Sequence, residues 1–376
     1  MVGSAPPRRM PRSFDGPYLD AACKLDAAAP GFLNRLLYAS NLRRAATFAT
    51  LLQIEFERPA AMAERLRPFA PAGCLPEIDP CAQVARALLV LREREIIAAL
   101  FGSVPDGFLG LLGRLGSQPL PDSSLYALLH DLLGNPAHQA RAKLLRQIPG
   151  LVSLIKIVAV ARLDPVLLHP AVLARMSDVE RVTAANAAVA VIRSVVPDAT
   201  DEALRQSLDG LNATGPSLGE WARGWLRRRM SCLPVEPPIP ANDPYLRLIQ
   251  GRDMADLGRR FQNCAADRVG YVALGSRLYY EWIGFGEPAV VELRTLHGSG
   301  GNCFVIEDLK GARNSEPEAE VTKAICKRLS DAGVLTYRDE AAGHGVGSAL
   351  RHLLGVWECE FIEPDADISN LLDEAA

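Results

Sequence analysis

The feature that most constrains this chain is a run of prolines, Pro234-Val235-Glu236-Pro237-Pro238-Ile239-Pro240, followed at once by Asn242-Asp243-Pro244. Each proline fixes its own φ and removes a backbone donor, so neither a helix nor an inner strand can continue through this density. The segment is expected to run extended and to separate two stretches that differ in hydrophobic period. The expected organisation is a flexible arm at 1–20, an all-helical domain at 21–233, a proline-rich linker at 234–245, an α+β module at 246–357 and an acidic tail at 358–376. The expected fold class is mainly α, an N-terminal multi-helix array followed by a small α+β module with a three-stranded antiparallel sheet flanked by helices.

Before the prolines the pattern is helical almost throughout. Phe32, Leu36, Leu37 and Ser40 fall at the three-and-four spacing of one helix face. Across Ala82–Phe101 the apolar set Val84, Leu88, Leu91, Ile96, Ile97 and Leu100 does the same, with Arg92, Glu93, Arg94 and Glu95 expected toward solvent. Further helices are expected over Ser123–Leu133, Pro136–Gln147, Leu151–Arg162, Val179–Val196 and Asp201–Leu211. Breakers such as Gly134-Asn135-Pro136, Pro149-Gly150 and Pro197-Asp198 divide them. No fixed repeat marks a solenoid.

Charge changes sign at the same boundary. The 376 residues carry a net −3, made of +5 up to residue 240 and −8 beyond it. A basic first part can meet an anionic partner, or can simply reflect solvated helix faces. At 49% hydrophobic and 23% charged the composition is that of a globular chain, which excludes a wholly disordered one. The most apolar run, around Leu151–Ala161, is interrupted by Lys156, so no membrane span is expected. Met1–Asp20 lacks an apolar core of the secretory kind. A cytoplasmic location is therefore expected. The eight cysteines form no C-x-x-C pair and no histidines stand at zinc-finger spacing, so free thiols, no metal and no cofactor are expected.

Beyond the prolines, Asp253–Val269 reads as a helix with Met254, Leu257, Phe261 and Ala265 on one stripe. Arg277–Phe285, Pro288–Leu296 and Asn302–Leu309 are rich in β-branched and aromatic residues and read as strands of a meander. Pro317–Ala332 returns to helix, with Asn314 or Ser315 as N-cap and Gly333 as its stop. The two helices can cover one face of the sheet.

Small motifs in this module come in a particular order. They are Met254-x-x-Leu257-Gly258, Phe261-Gln262-Asn263-Cys264-Ala265, Gly275, Ala289-Val290-Val291-Glu292-Leu293, and Asp308-Leu309-Lys310-Gly311-Ala312-Arg313-Asn314. Over about Leu246–Ser330 this order resembles the PcfJ-like family of bacterial proteins, associated with plasmids and conjugative elements. Three positions depart from the family pattern: Asn263 stands for its histidine, Arg268 for its tyrosine and Asp308 for its glutamine. The resemblance implies a mobile-element context and leaves the reaction open.

Each candidate site residue has two readings. Asn263-Cys264 can be a nucleophile site, since a thiol is activated by a nearby base. Cys264 can equally be a small residue packed against the sheet, late in its helix where the dipole opposes a thiolate. Glu292 faces away from Val291 and Leu293, toward solvent or a polar pocket. Lys310, Arg313 and Asn314 can hold a phosphate or carboxylate, or can serve only the turn around Gly311. Trp221 and Trp225, with Arg227 and Arg228 after them, suit single-stranded nucleic acid, or form a core stripe on a helix with a basic end.

The leading expectation is a non-enzymatic binding protein of a mobile or symbiotic element, contacting nucleic acid or a partner protein in the groove between the two parts. The alternatives are an enzyme with a site built from Cys264, Glu292 and the Lys310–Asn314 loop, and a helical protein-interaction scaffold.

Overall fold

The computed structural model describes residues 10–56, 59–71, 73, 75, 79–211, 215–298 and 301–335. The expected tail at 358–376, the last part of the module from 336 and the first nine residues of the arm lie outside them. The chain divides into two compact units between Cys232 and Leu233.

The first unit is a multi-helix array. It opens with Gly16–Ala28 (α1), Phe32–Tyr38 (α2), Asn41–Phe56 (α3), Pro59–Leu66 (α4) and Pro80–Val90 (α5). Glu93–Phe101 (α6), Phe108–Leu112 (α7), Ser124–Gly134 (α8), Gln139–Gln147 (α9) and Leu154–Arg162 (α10) follow. Pro170–Arg175 (α11), Val179–Val195 (α12), Asp201–Leu208 (α13) and Leu218–Arg229 (α14) complete it. The stretch read as continuous at Ala82–Phe101 is two helices. Arg92 is extended and caps α6, its N–H held by the Glu95 carboxylate at 2.7 Å. Glu93 turns inward to pair with Arg43 at 3.3 Å instead of facing solvent.

The expected arm is ordered from residue 10 onward, because Arg44 reaches it. Arg44 is fully buried and donates to the carbonyls of Arg12, Leu36 and Ser117 at 2.8 to 3.0 Å. Its guanidinium lies over the rings of Phe14 and Phe48. Burial, with Arg12 nearby, pulls its pKa down to about 10. Phe14 and Tyr18 are core residues, so Gly16–Asp20 belongs to α1 rather than to a free arm.

The second unit is built on a four-stranded antiparallel sheet in the order β1-β2-β3-β4: Leu246–Ile249 (β1), Arg277–Trp282 (β2), Ala289–Gly298 (β3) and Gly301–Lys310 (β4). The three expected strands are present, and a fourth, β1, joins them as a short edge. Its four residues are too few to declare a period. Asp243 starts it by accepting the N–H groups of Tyr245 and Leu246 and the Arg328 guanidinium. Leu335 pairs with the outer edge of β4 in parallel.

Sheet alternation gives the unit two unlike faces. Leu278, Tyr280 and Trp282 of β2, with Leu246, Val291, Leu293 and Phe304, form an apolar face. Onto it pack Val321, Ile325 and Leu329, one stripe of Ala319–Asp331 (α15). The N-cap of this helix is Glu318, not Asn314 or Ser315. The other face, with Arg277, Tyr279 and Glu281, meets Met254–Phe261 (α16), the 3-10 turn Cys264–Arg268 and Val269–Ala273 (α17). The helix expected over Asp253–Val269 thus ends at Phe261, where Gln262 is left-handed. The flanking helices cover opposite faces of the sheet, not one.

The proline-rich segment belongs to this unit's core. Val235 and Ile239 are buried in the apolar cluster. Tyr280 both donates to the Ile239 carbonyl (3.1 Å) and accepts from its N–H (3.2 Å). Gly275, with φ +72°, lies beneath Pro234 and Val235, where a Cβ would meet both at about 3 Å. Tyr280→Phe leaves two buried backbone groups without partners. It is expected to lower the unfolding free energy by about 2 kcal/mol, measured by urea denaturation followed through Trp282 fluorescence.

Candidate functional site

The polar face of the sheet is a buried layer of paired charges. Glu281, 3% exposed, accepts from Arg247 and from both terminal nitrogens of Arg260. Burial alone would raise its pKa, but these two guanidinium groups hold it below the ordinary carboxylate range. Arg277, also buried, lies 3.4 Å from Glu292 and 3.1 Å from Glu307.

Glu307 reaches this face through a β-bulge. Glu292 pairs with Asp308, but Leu293 pairs with Ile306, so β4 carries one extra residue there. Ile306 and Leu309 both join the apolar cluster, while Glu307 and Asp308 both lie on the polar side. A regular strand would put Ile306 and Leu309 on opposite faces.

Where the polar layer opens to solvent it leaves a cleft of about 60 Å³. One wall is Asn263, Cys264, Ala265 and Arg268. The floor is Tyr279, Val290 and Glu292, and the far wall is Asp308, Lys310 and Asn314. This volume admits a few waters or one small polar group of a larger molecule.

Local structure places the first wall. Gln262 ends α16 in the left-handed region, and Asn263 caps the next turn by accepting the Ala265 N–H at 3.0 Å. Gly258 lets that turn approach, since a Cβ there would stand 3.2 Å from the Ala266 nitrogen and 3.3 Å from the Asn263 carbonyl. Cys264 therefore opens a 3-10 turn and is exposed. Neither the packed position nor the helix C-terminus expected for it holds. Arg268 lies against its sulfur, and that contact, with Tyr279 and Glu292 near, keeps the guanidinium firmly protonated.

The other wall follows β4. Lys310 stands 3.7 Å from Asp308. Asn314 and Arg313 are left-handed, at φ +59° and +57°. Arg313 points out of the cleft and donates through Nε to Gln262 Oε1 at 3.0 Å, tying the two walls together. Among the described residues, Gln262, Arg313 and Asn314 are the three non-glycine positions with φ in this region, and all border the cleft. Such backbone strain clusters at functional sites.

Glu292 is the carboxyl that the cleft holds toward its neutral form. Desolvation pushes its carboxyl up, against the opposing pull of Tyr279, Arg277 and Arg268 and with help from Asp308. The Tyr279 hydroxyl is buried beside it, closes no hydrogen bond of ordinary geometry, and has its own pKa pushed up by burial and by the Glu292 charge. A carboxyl held toward its neutral form, in a cleft with a thiol and two cations, can donate and recover a proton.

Of the residues named from sequence, Asn263, Cys264, Glu292, Lys310 and Asn314 come together here, and Arg313 braces the rim. Arg268, Tyr279 and Asp308 complete the cleft. Tyr279 was legible as the β2 neighbour of Glu292 only once the strand register was known. Trp225, Arg227 and Arg228 lie in the first unit. Trp221 and Trp225 are buried, and both indole N–H groups donate to Ser207 Oγ at 2.8 and 3.0 Å. Arg229 covers the Trp225 ring and pairs with Asp198. These tryptophans form the core stripe and present no free face for bases.

Among the described residues, no group of three His, Cys, Asp or Glu side chains could hold a metal ion. None of their helices is long and apolar enough to cross a membrane. No family model, no curated protein and no solved structure matches the chain.

Glu281 and Glu292 share a face but carry opposite shifts, which sets opposite pH dependences. The charged form of Glu281 stabilises the fold above the ordinary carboxyl value, and that contribution is lost as pH falls through its lower folded value. For Glu292 the neutral form is favoured, so stability is greatest below the ordinary carboxyl value and declines as pH rises through its higher folded value. Thermal unfolding between about pH 2.5 and 7 is expected to show Glu281→Gln losing ground to wild type as pH rises toward the ordinary carboxyl value, and Glu292→Gln gaining it as pH rises above that value.

Proposed function

We propose that the second unit is a PcfJ-like module and that its cleft is an active site. Arg268 and Lys310 hold the polar end of a substrate, Glu292 exchanges a proton with it, and Cys264 is the nucleophile. The observation that carries this reading is convergence. Asn263, Cys264, Glu292, Asp308, Lys310 and Asn314 come from three separate sequence motifs, and with Arg268 they line one cleft. The three positions at which the chain departs from the family pattern are among them. Departures with no bearing on a site would be scattered over the surface.

The chemistry follows from the surroundings of Glu292. In the step the Cys264 sulfur bonds to a ligand carbon and its thiol proton passes to water, while the bond from that carbon to the departing atom breaks and Glu292 gives its proton to that atom. The carboxylate formed is then met by Arg277 at 3.4 Å and by Arg268. The exposed Cys264 sulfur stands on the facing wall with a guanidinium against it. With Trp221 and Trp225 committed to the core, this ranks the enzymatic alternative ahead of nucleic-acid binding. The mobile-element context remains part of the proposal through the resemblance alone.

The test needs no substrate. Iodoacetamide labelling of individual cysteines, resolved by mass spectrometry between about pH 5 and 9, compares Cys264 with exposed Cys232 of the other unit. The Cys264 rate is expected to show an additional carboxyl-linked inflection that Glu292→Gln abolishes, with Cys232 unaffected. Identical profiles for the two cysteines, or no change in Glu292→Gln, would exclude a working pair.

A further inference from the structure

A cavity larger than this cleft lies in the first unit, between α2, α3, α5 and the start of α6, with a volume of about 270 Å³. Its inner wall is apolar: Phe32, Leu36 and Leu88 are buried, and Leu89 closes one side. Two observations describe its polar side. Thr47, 2% exposed, and Ser40 are the hydroxyl-bearing residues of the lining.

The second observation is charge. Arg43 and Arg35 stand at the mouth with Glu93. Arg43 is already engaged, by Glu93 at 3.3 Å and by the carbonyls at the end of α5. Arg35 is exposed and has no carboxylate partner among the described residues. Among the described residues, the mouth therefore carries one cation without a carboxylate partner, above an apolar wall.

We infer that this cavity is a binding site for a small amphipathic carboxylate, its hydrocarbon body against Phe32, Leu36, Leu88 and Leu89 and its carboxylate on Arg35. The volume lies near the lower end for small-molecule pockets, which suits a short acyl or aromatic acid and excludes a long lipid chain. Thr47 meets a polar atom within the ligand or an ordered water beside it. The site is independent of the cleft in the second unit.

Octanoate is the probe, titrated into the full chain by calorimetry, with 1-octanol as the uncharged counterpart. Saturable octanoate binding is expected. Arg35→Gln, at an exposed position where folding is not at stake, should weaken octanoate by about tenfold through loss of one charge-assisted contact and leave octanol unchanged. Leu89→Trp, which fills the pocket, should abolish both, with circular dichroism confirming that the variant is folded. Absence of saturable octanoate binding, or octanoate binding indifferent to Arg35→Gln, overturns the inference.

Discussion

The second unit depends on β2 being buried on both faces. A central strand whose alternate residues are Arg277, Tyr279 and Glu281 cannot be covered by apolar helices, because an unpaired buried charge costs several kcal/mol. Every neighbour of that face therefore brings a polar group into register. Arg247 comes from β1, Arg260 from α16, Glu292 from β3 and Glu307 from the bulge in β4. The opposite face, where Leu278, Tyr280 and Trp282 point, needs only apolar cover, which α15 and the prolines provide. The sheet is thus a partition between an oily layer and an ionic one.

The ionic layer also decides where a cleft can exist. Charge pairs hold fixed distances and pack less freely than methyl groups, so the layer closes around Glu281 and opens near Glu292. At its open end the backbone gives up regular structure three times, at Gln262, Arg313 and Asn314. The Arg313–Gln262 bridge joins two of these turns. Gly258 removes the side chain that would keep the Cys264 turn away from α16. The irregular residues form one rim, held in place by the contacts around them.

Much of this was readable from residues alone, where period and composition speak plainly. The proline run marked the boundary between units, three strands were found close to their observed ends, and the stripe Val321, Ile325 and Leu329 was implicit in the last helix. What escaped notice was decided by interactions remote in sequence. The strand β1 is four residues long and exists because Asp243 and β2 hold it. Arg44 looks like a surface cation in a helical pattern, yet three backbone carbonyls and two rings make it the centre of the N-terminal core. Cys264 reads as a late helical residue because Phe261, Gln262 and Asn263 carry no glycine or proline to announce the break. The spacing of Ile306 and Leu309 did contain the bulge, since two apolar residues three apart in a strand cannot share a face without one.

Glu281 and Glu292 show why one carboxyl of the layer is structural and the other suited to chemistry. Glu281 accepts from two guanidinium groups, and protonation would forfeit those contacts together. Glu292 shares Arg277 with Glu307, which stands 0.3 Å closer to that guanidinium, at 3.1 Å against 3.4 Å. When Glu292 takes up a proton, Arg277 keeps an anionic partner, and no buried cation is left uncompensated. When Glu292 releases it, Arg277 and Arg268 are already in place. Both protonation states are therefore tolerated at one geometry, and a proton-transfer group must have that property. The bulge that delivers Glu307 is thus as much a part of the cleft's chemistry as the residues lining it.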